Sequence, residues 1–331
     1  SERIAKPRRG VAVASCGRGR VFGREGAAAG EGAGGWAIWG KKKRGSVMFF
    51  LGIDIGSTAS KCVVVNAEGE IVGKGLYGSG AGTNGPKTAI DAALTEAGIS
   101  IKSVAYSCAT GYGRNLLDWA DMTLSELSCH AKGAGMLFPT AKTVIDIGGQ
   151  DAKVLRIGEG GRLENFAMND KCAAGTGRFL DVMASVFQCK VSDLQDYDAQ
   201  STKVASISST CTVFAESEVI SKLAGGEKIA DIVAGIHESV AERTAGLAKR
   251  VGIGPEVAMT GGVALNEGLR DRLARKIGHP ILVSRLAQFN GALGAALTAR
   301  ETYMKKAPAL DVDEPRREGP VCCEGCAGDA R

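Results

Sequence analysis

The sequence predicts an α/β protein built from two similar domains that face each other across a cleft. Its 331 residues include 47 glycines and only 5% aromatic residues, which indicates an α/β protein with many tight loops. This length suggests two domains of ordinary size, each with its own core. A short apolar run ending in Asp-Ile-Gly occurs twice, about 90 residues apart, and such an internal duplication predicts paired domains.

Composition and charge exclude several classes of protein. Hydrophobic residues make up 44% of the chain and charged residues 23%, which excludes global disorder. No apolar run approaches the roughly 18 residues of a membrane-spanning helix. The net charge of +5 comes from residues 1–47, where eleven Lys and Arg stand against three Asp and Glu. Because the remainder is mildly acidic, we expect no nucleic-acid partner and no membrane partner.

The two ends differ from the middle of the chain. Residues 1–47 lack periodicity and apolar mass, so we expect a disordered or mis-assigned extension, with a transit peptide as the alternative. Residues 307–331 predict a disordered tail whose Cys322, Cys323 and Cys326 form a CCxxC cluster, by itself a weak metal signal. Ten cysteines without an export signal indicate a reducing compartment, the cytoplasm.

The first strand–loop unit spans residues 48–65. Apolar residues 48–55 precede a small-residue turn, and residues 62–65 are apolar again, which predicts two strands joined by a tight loop. Small residues let backbone N–H groups approach an anion, and hydroxyls add donors. The predicted phosphate loop consists of Gly56, Ser57, Thr58, Ala59 and Ser60. Asp54, at the end of the first strand, can hold Mg²⁺ through water.

The second unit repeats the first. The apolar run 143–147 contains Asp146 and precedes Gly148, Gly149 and Gln150, before a further apolar run at 152–157. Either loop alone is consistent with a structural β-turn, but the shared D-I-G favours two phosphate loops. Asp146 is then a second carboxylate for Mg²⁺ or water. Gln150 either orients the attacking water, since an amide donates and accepts, or only satisfies the turn.

A third glycine site lies in the sequence MTGGVA. Gly261 and Gly262 follow a short apolar stretch and precede a segment, 266–276, with helical character. Paired glycines allow a flat ring to lie against the backbone, so we expect an adenine or ribose contact here.

The cysteines of the middle region fall into two groups. Cys62 and Cys108 have apolar or small neighbours and are predicted core thiols. Cys172 directly precedes residues 173–183, which predict a helix that begins at a Gly/Thr-rich turn. A thiolate at a helix N-terminus is stabilised by free N–H groups and the helix dipole.

These motifs resemble a known superfamily. DIGST, DIGGQ and TGGVA, in this order and spacing, are similar to the phosphate and adenosine motifs of the actin/Hsp70/sugar-kinase ATPases, and residues 290–296 resemble their second connecting segment. Within that superfamily the chain, from about residue 49 to 303, resembles the activator ATPases of (R)-2-hydroxyacyl-CoA dehydratases and the related benzoyl-CoA reductase subunits. Four longer motifs carry this likeness: ATGYGR at 109–114, SELSCHA at 125–131, NDKCAAGTGRF at 169–179 and SSTCTVFAESE at 208–218.

The resemblance implies duplicated RNase H-like domains around a nucleotide cleft. The expected first domain is 48–141 with 289–306, and the second is 142–288. The expected cofactors are ATP or ADP, Mg²⁺ and one [4Fe–4S] cluster per homodimer, held by Cys129 and Cys172, with Cys211 in reserve. Since a cubane takes about four thiolates, two per chain require two chains. Glu216 is expected to contact nucleotide or Mg²⁺, or only to place charge in the first turn of a helix.

The resemblance also implies a function. Reduced ferredoxin or flavodoxin would charge the cluster, and ATP hydrolysis would drive one low-potential electron into a 2-hydroxyacyl-CoA dehydratase or a related acyl-CoA reductase. A small-molecule kinase of the same superfamily is the first alternative, because it would share the nucleotide motifs but would need no iron. A non-catalytic actin-like ATP-binding scaffold is the second.

Overall fold

The structure is a computed structural model that describes residues 48–208 and 211–306. The predicted extension at 1–47 and the predicted tail at 307–331, with its three cysteines, lie outside the described residues.

The first sheet has the strand order β3-β2-β1-β4-β5. Its strands are β1 (Phe49–Ile55), β2 (Ser60–Asn66), β3 (Ile71–Tyr77), β4 (Val104–Thr110) and β5 (Met122–Thr123). The first three strands are antiparallel neighbours, whereas β4 and β5 continue the sheet in parallel from β1.

The second sheet repeats this arrangement with the order β8-β7-β6-β9-β10. Its strands are β6 (Thr143–Ile147), β7 (Ala152–Ile157), β8 (Leu163–Asn169), β9 (Val257–Thr260) and β10 (Ile281–Val283). Again the first three strands are antiparallel and the last two are parallel to the first. The predicted duplication is therefore confirmed, since both the order and the strand directions recur.

Eight α-helices accompany the sheets. They are α1 (Gly85–Ala97), α2 (Glu126–Leu137), α3 (Gly177–Val186), α4 (Leu194–Ala199), α5 (Thr212–Ala224), α6 (Ile229–Val251), α7 (Glu267–Ile277) and α8 (Asn290–Lys306), counted over the described ranges. No helix among them is long and apolar enough to cross a membrane.

Helices cover both faces of the first sheet, which explains why residues 50–55 of β1 are all buried. Leu51 and Ile53 belong to a core cluster with residues of α1. Phe50 belongs to a different cluster, with residues of α8. Gly52 lets α8 approach closely, because a Cβ there would lie 2.0 Å from the Ala292 carbonyl oxygen.

Helix α2 packs against both halves of the molecule. Its Ala131 and Ala134 share a core cluster with Val144 and Leu155 of the second sheet. Its other contact is with α8, where a Cβ on Gly294 would lie 1.8 Å from the Cys129 carbonyl oxygen. The domain boundaries expected near residues 141 and 288 stay a prediction.

Candidate functional site

A cavity of about 820 Å³ lies where the loops of the two sheets meet, and its volume is within the range of small-molecule sites. Most of the predicted nucleotide residues line it: Asp54, Gly56, Ser57, Thr58, Ala59, Asp146, Gly148, Gly149, Gln150, Gly261 and Gly262. Residues far apart in the sequence are thus brought to one cleft, because each sheet places its loops at the same edge.

The two phosphate loops have the same construction and touch each other. The Gly56 amide donates to the Ala59 carbonyl at 3.1 Å, and the Gly148 amide donates to the Asp151 carbonyl at 2.9 Å. A Cβ on Gly149 would lie only 2.1 Å from Thr58 Oγ1, so the backbone of the second loop rests on the first. Any side chain at position 149 would push the loops apart.

Each loop is followed by a lysine that faces the aspartate before it. Asp54 pairs in register with Lys61 across β1 and β2, and Asp146 pairs with Lys153 across β6 and β7. Lys61 Nζ lies 3.7 Å from Asp54, and Lys153 Nζ lies 3.4 Å from Asp146. Sequence analysis missed both lysines, although each stands seven residues after its aspartate in both copies.

Asp146 is buried and held by three groups. Thr260 Oγ1 donates to it at 2.7 Å, and His130 Nδ1 lies 3.2 Å from the same oxygen. Burial alone would raise the pKa of Asp146, but His130 and Lys153 outweigh this and hold its pKa well below the usual range. Asp146 is therefore ionised at neutral pH.

The pKa values of His130 and Lys153, the two basic groups around Asp146, shift upwards. Burial would lower the pKa of His130, yet Asp146 raises it overall. Lys153 also lies 2.7 Å from Asp151 and 3.7 Å from Glu126, and these carboxylates with Asp146 raise its pKa against the effect of burial. Burial raises the pKa of Glu126, which lines the cavity from the first turn of α2.

Two of the predicted nucleotide-binding residues do not line the cavity. Ser60 is fully buried, and its hydroxyl donates to the Ser79 carbonyl at 2.9 Å, so it ties the first hairpin to the following loop instead of lining the cavity. Glu216 lies in the second turn of α5 and is not among the residues that line the cavity.

The third glycine site closes the cavity from the end of β9. Gly261 has φ +85°, and a Cβ there would lie 2.3 Å from the Ile147 carbonyl oxygen. Asn266 also lines the cavity; its Oδ1 accepts from the Leu269 amide to cap α7, and its Nδ2 contacts His237 Nε2 at 3.2 Å. His237 Nδ1 lies 2.8 Å from the Asp198 carboxylate, which fixes the orientation of the imidazole.

The structure does not favour Cys129 as a metal ligand, and that assignment stays a prediction. Cys129 is fully buried in α2, against α8. The neighbouring Cys108 thiol and burial raise its pKa far above the ordinary value, so the thiolate that iron requires is disfavoured.

Cys172 is half-buried in the turn that joins β8 to α3. Asn169 Nδ2 bridges the carbonyls of Cys172 and Ala174, at 2.9 and 3.2 Å, and so shapes the turn. The helix predicted to begin just after Cys172 begins at Gly177, with Thr176 as its N-cap residue. Cys172 is therefore a loop residue and not a helix N-terminal one.

Cys211 lies at a helix N-terminus, the kind of position that was predicted for Cys172. It is the half-buried N-cap residue of α5, which packs against α3. The next residue, Thr212, has a buried hydroxyl without a hydrogen-bond partner among the described residues. Val213 and Phe214 then expose 65% and 68% of their surface. Within the described ranges, no group of three or more His, Cys, Asp or Glu side chains is arranged to hold a metal ion.

Comparison with known proteins adds independent findings. Residues 51–299 match the BadF/BadG/BcrA/BcrD ATPase family. The chain is 58% identical over 259 residues to the (R)-2-hydroxyglutaryl-CoA dehydratase activating ATPase of Acidaminococcus fermentans, covering 78% of this chain and 99% of that protein. It is 49% identical over 259 residues to the activator of lactoyl-CoA dehydratase of Anaerotignum propionicum, covering 78% and 100%.

A solved structure has the same fold. The activator of the 2-hydroxyisocaproyl-CoA dehydratase from Clostridium difficile, with bound ADPNP, superimposes with a TM-score of 0.77 at 48% identity, covering 81% of this chain and 100% of that one. The predicted fold class, an α/β protein with two duplicated halves, is confirmed by the repeated strand order, and this match shows the same fold.

Proposed function

Because this chain belongs to the BadF/BadG/BcrA/BcrD ATPase family, we propose that it is an ATP-hydrolysing activator of a 2-hydroxyacyl-CoA dehydratase. The observation that carries the proposal is the sequence identity of 58% and 49% with two dehydratase activators, over 99% and 100% of their lengths. The paired aspartate–lysine hairpins at one cavity support the ATPase part, since phosphate loops of this kind need donors and carboxylates on both sides of the nucleotide.

The nucleotide would lie in the cavity with its phosphates between the two loops. Gly56–Ala59 and Gly148–Gly149 would supply amide donors, with hydroxyls from Ser57 and Thr58. Gly261 and Gly262 would lie against the adenosine. ATP hydrolysis would separate the γ-phosphate from the loops and change how tightly they are held together.

Asp54 and Asp146 would hold Mg²⁺, whose preferred ligands are carboxylate oxygens and water. The cavity-lining residues fit this role, because the two carboxylates come from opposite hairpins and Asp146 is already ionised. Gln150 is exposed to the cavity, so its amide can orient the attacking water.

Cys172 and Cys211 fit the iron–sulfur cluster better than Cys129 does. Both thiols are half-exposed, and neither sulfur has a hydrogen-bond partner within the described part of the chain. The Thr212 hydroxyl, buried without a partner, is a donor of the kind that stabilises thiolate or sulfide. When bound, a [4Fe–4S] cluster would supply one-electron chemistry at low potential.

Two thiolates per chain imply a homodimer around one shared cluster. The exposed Val213 and Phe214, next to Cys211, are the apolar surface that a second copy would cover. Reduced ferredoxin or flavodoxin would be the electron donor and the dehydratase component the acceptor. The protein would then work in the cytoplasm.

The first experiment measures iron and acid-labile sulfide on anaerobically purified protein. About two irons per chain are expected for one cubane shared by a dimer. Cys172→Ala and Cys211→Ala should each reduce iron to background while ATP binding persists. Cys129→Ala should retain iron, and Cys189→Ala, at another half-buried free cysteine, is the matched control.

Two results would contradict the proposal in different ways. Iron lost from Cys129→Ala but kept in Cys211→Ala would overturn the ligand assignment alone. Iron-free wild type after anaerobic reconstitution, together with phosphate transfer from ATP to a hydroxylated small molecule, would replace the activator function with that of a kinase.

A further inference from the structure

Arg243 is a half-buried arginine that has no hydrogen-bond or ion-pair partner among the described residues. It lies on α6, and its Nε is buried without a hydrogen-bond partner among the described residues. Across the same residues it forms no ion pair, whereas Arg272 on α7 contacts both Asp198 and Glu238. A buried donor without an acceptor costs free energy, so its presence needs an explanation.

The Arg243 side chain packs against the turn that carries Cys172. A Cβ on Gly175 would lie 3.3 Å from Arg243 Cδ and 3.5 Å from Arg243 Cβ. Gly175 follows Cys172 by three residues, which limits their Cα separation to about 11 Å. Since Asn169 clamps the carbonyls of Cys172 and Ala174 together, the turn over Arg243 is held in place.

The segment that carries Cys211 borders the same helix. Helix α5 begins just after Cys211 and packs against both α3 and α6. Of the three buried side-chain atoms without partners in the described part of the structure, two belong to Thr212 and Arg243. The unsatisfied donors outside the nucleotide cavity thus occur next to Cys211 and against the turn that carries Cys172.

We propose that the positive charge of Arg243 stabilises the negative charge carried by Cys172 and Cys211. The proposal rests on the cluster assignment above. One electron from reduced ferredoxin or flavodoxin adds one negative charge to a cluster and its four thiolates. A fixed guanidinium beside them stabilises that reduced form more than the oxidised form, so Arg243 raises the reduction potential. Arginine suits this role because it stays protonated.

The first test needs no cluster. In the metal-free full-length protein, Cys172 is alkylated with anionic iodoacetate and, separately, with neutral iodoacetamide, and the modified peptide is quantified by mass spectrometry. A nearby positive charge attracts the anionic reagent. We expect Arg243→Gln to lower the iodoacetate-to-iodoacetamide rate ratio at Cys172 at least threefold, while Arg243→Lys largely restores it.

Arg250→Gln is the matched control, because it removes the same charge from the exposed end of the same helix. Its ratio should equal that of the wild type. An unchanged ratio in Arg243→Gln overturns the proposal whatever the cluster content. Circular dichroism and ATP binding verify that each variant is folded.

The second test is a redox titration of the reconstituted dimer monitored by EPR. At a fixed potential, Arg243→Gln should show a tenfold lower ratio of reduced to oxidised cluster, which corresponds to about 59 mV for one electron. An unchanged potential in a fully loaded variant also overturns the proposal. Iron-free wild type would instead count against the proposed function, and the alkylation test would still decide the role of Arg243.

Discussion

The two phosphate hairpins have the same sequence spacing and the same strand register, yet they differ in how their aspartates are held. Asp54 has Lys61 at 3.7 Å, and that lysine side chain is 20% exposed. Asp146 has Lys153, whose side chain is 3% exposed, together with His130 and Thr260. One copy of the duplicated hairpin is thus open to the cleft and the other is closed into a buried charge network.

This difference between the two aspartates predicts different contributions to turnover and to stability. A carboxylate with one partly solvated partner can exchange that partner for Mg²⁺ at small cost. A carboxylate with three buried partners is fixed in orientation, and its removal leaves charges without compensation. We therefore expect the first hairpin to contribute mainly to turnover, and the second to contribute to both turnover and stability.

The largest expected effect is on turnover at the first hairpin. Asp54→Asn keeps the shape of the side chain but removes the charge that holds Mg²⁺, so the ATPase kcat should fall by about 100-fold or more. Steady-state phosphate release measures this. Iron content and the urea midpoint should stay close to those of the wild type.

If Asp54→Asn leaves ATPase turnover unchanged, Asp54 has no metal role and the two hairpins are not functional equivalents. Lys87→Gln, which removes an exposed charge from α1, controls for a change in net charge alone.

The next effect is on stability at the second hairpin. Asp146→Ala leaves Lys153 and His130 buried without their shared carboxylate, and breaking such a buried pair costs about 3–5 kcal/mol. Asp54→Ala should cost clearly less. Urea unfolding of the metal-free protein gives both values, and equal losses would show that the two networks are energetically alike.

The pH dependence of stability should also reveal the buried charge network of the second hairpin. The lowered pKa of Asp146 gives stability that is present above its ordinary value of about 4 and is lost as the pH falls through the lowered pKa. The raised pKa of His130 gives stability that is present below about 6.5 and is lost as the pH rises through the raised pKa. The stability lost in Asp146→Asn should therefore be largest near pH 5.5 and smaller at pH 3 and pH 9.

The smallest effect concerns the contact between the loops. Gly149→Ala places a methyl group 2.1 Å from Thr58 Oγ1, so the loops must separate and the KM for ATP should rise several-fold. Gly246→Ala, where a Cβ would meet nothing within 4 Å, is the control. Thr58→Ser removes the Cγ2 methyl group, which a Cβ at position 149 would also meet. In the Gly149→Ala background this change should recover part of the affinity for ATP. No recovery would mean that the loops are not coupled through this contact.

Much of the cleft could be predicted from the sequence because its signal is local. The apolar runs before Asp54 and Asp146 predicted β1 and β6, and the glycines after them predicted the turns. The repeat of D-I-G predicted a duplication, and the strand orders of the two sheets confirm it. These features depend on spacing along one hairpin, which a linear pattern records directly.

What the sequence did not show is burial and packing between distant segments. Cys129 and Cys172 both lie in motifs of the activator ATPases, but Gly294 of α8, about 165 residues further along the chain, packs against Cys129. Ser60 and Glu216 belong to the right motifs as well, yet one is turned into the interior and the other lies on a helix away from the cavity.

The sequence by itself determined the two Asp–Gly hairpins and the family to which the chain belongs. Tertiary structure alone decided which aspartate joins a buried network, which cysteines remain partly exposed and which arginine packs against the turn that carries Cys172. The physical reason is that desolvation and charge pairing depend on what other segments cover a side chain, and that covering is set by the packing of α2, α6 and α8 across the two sheets.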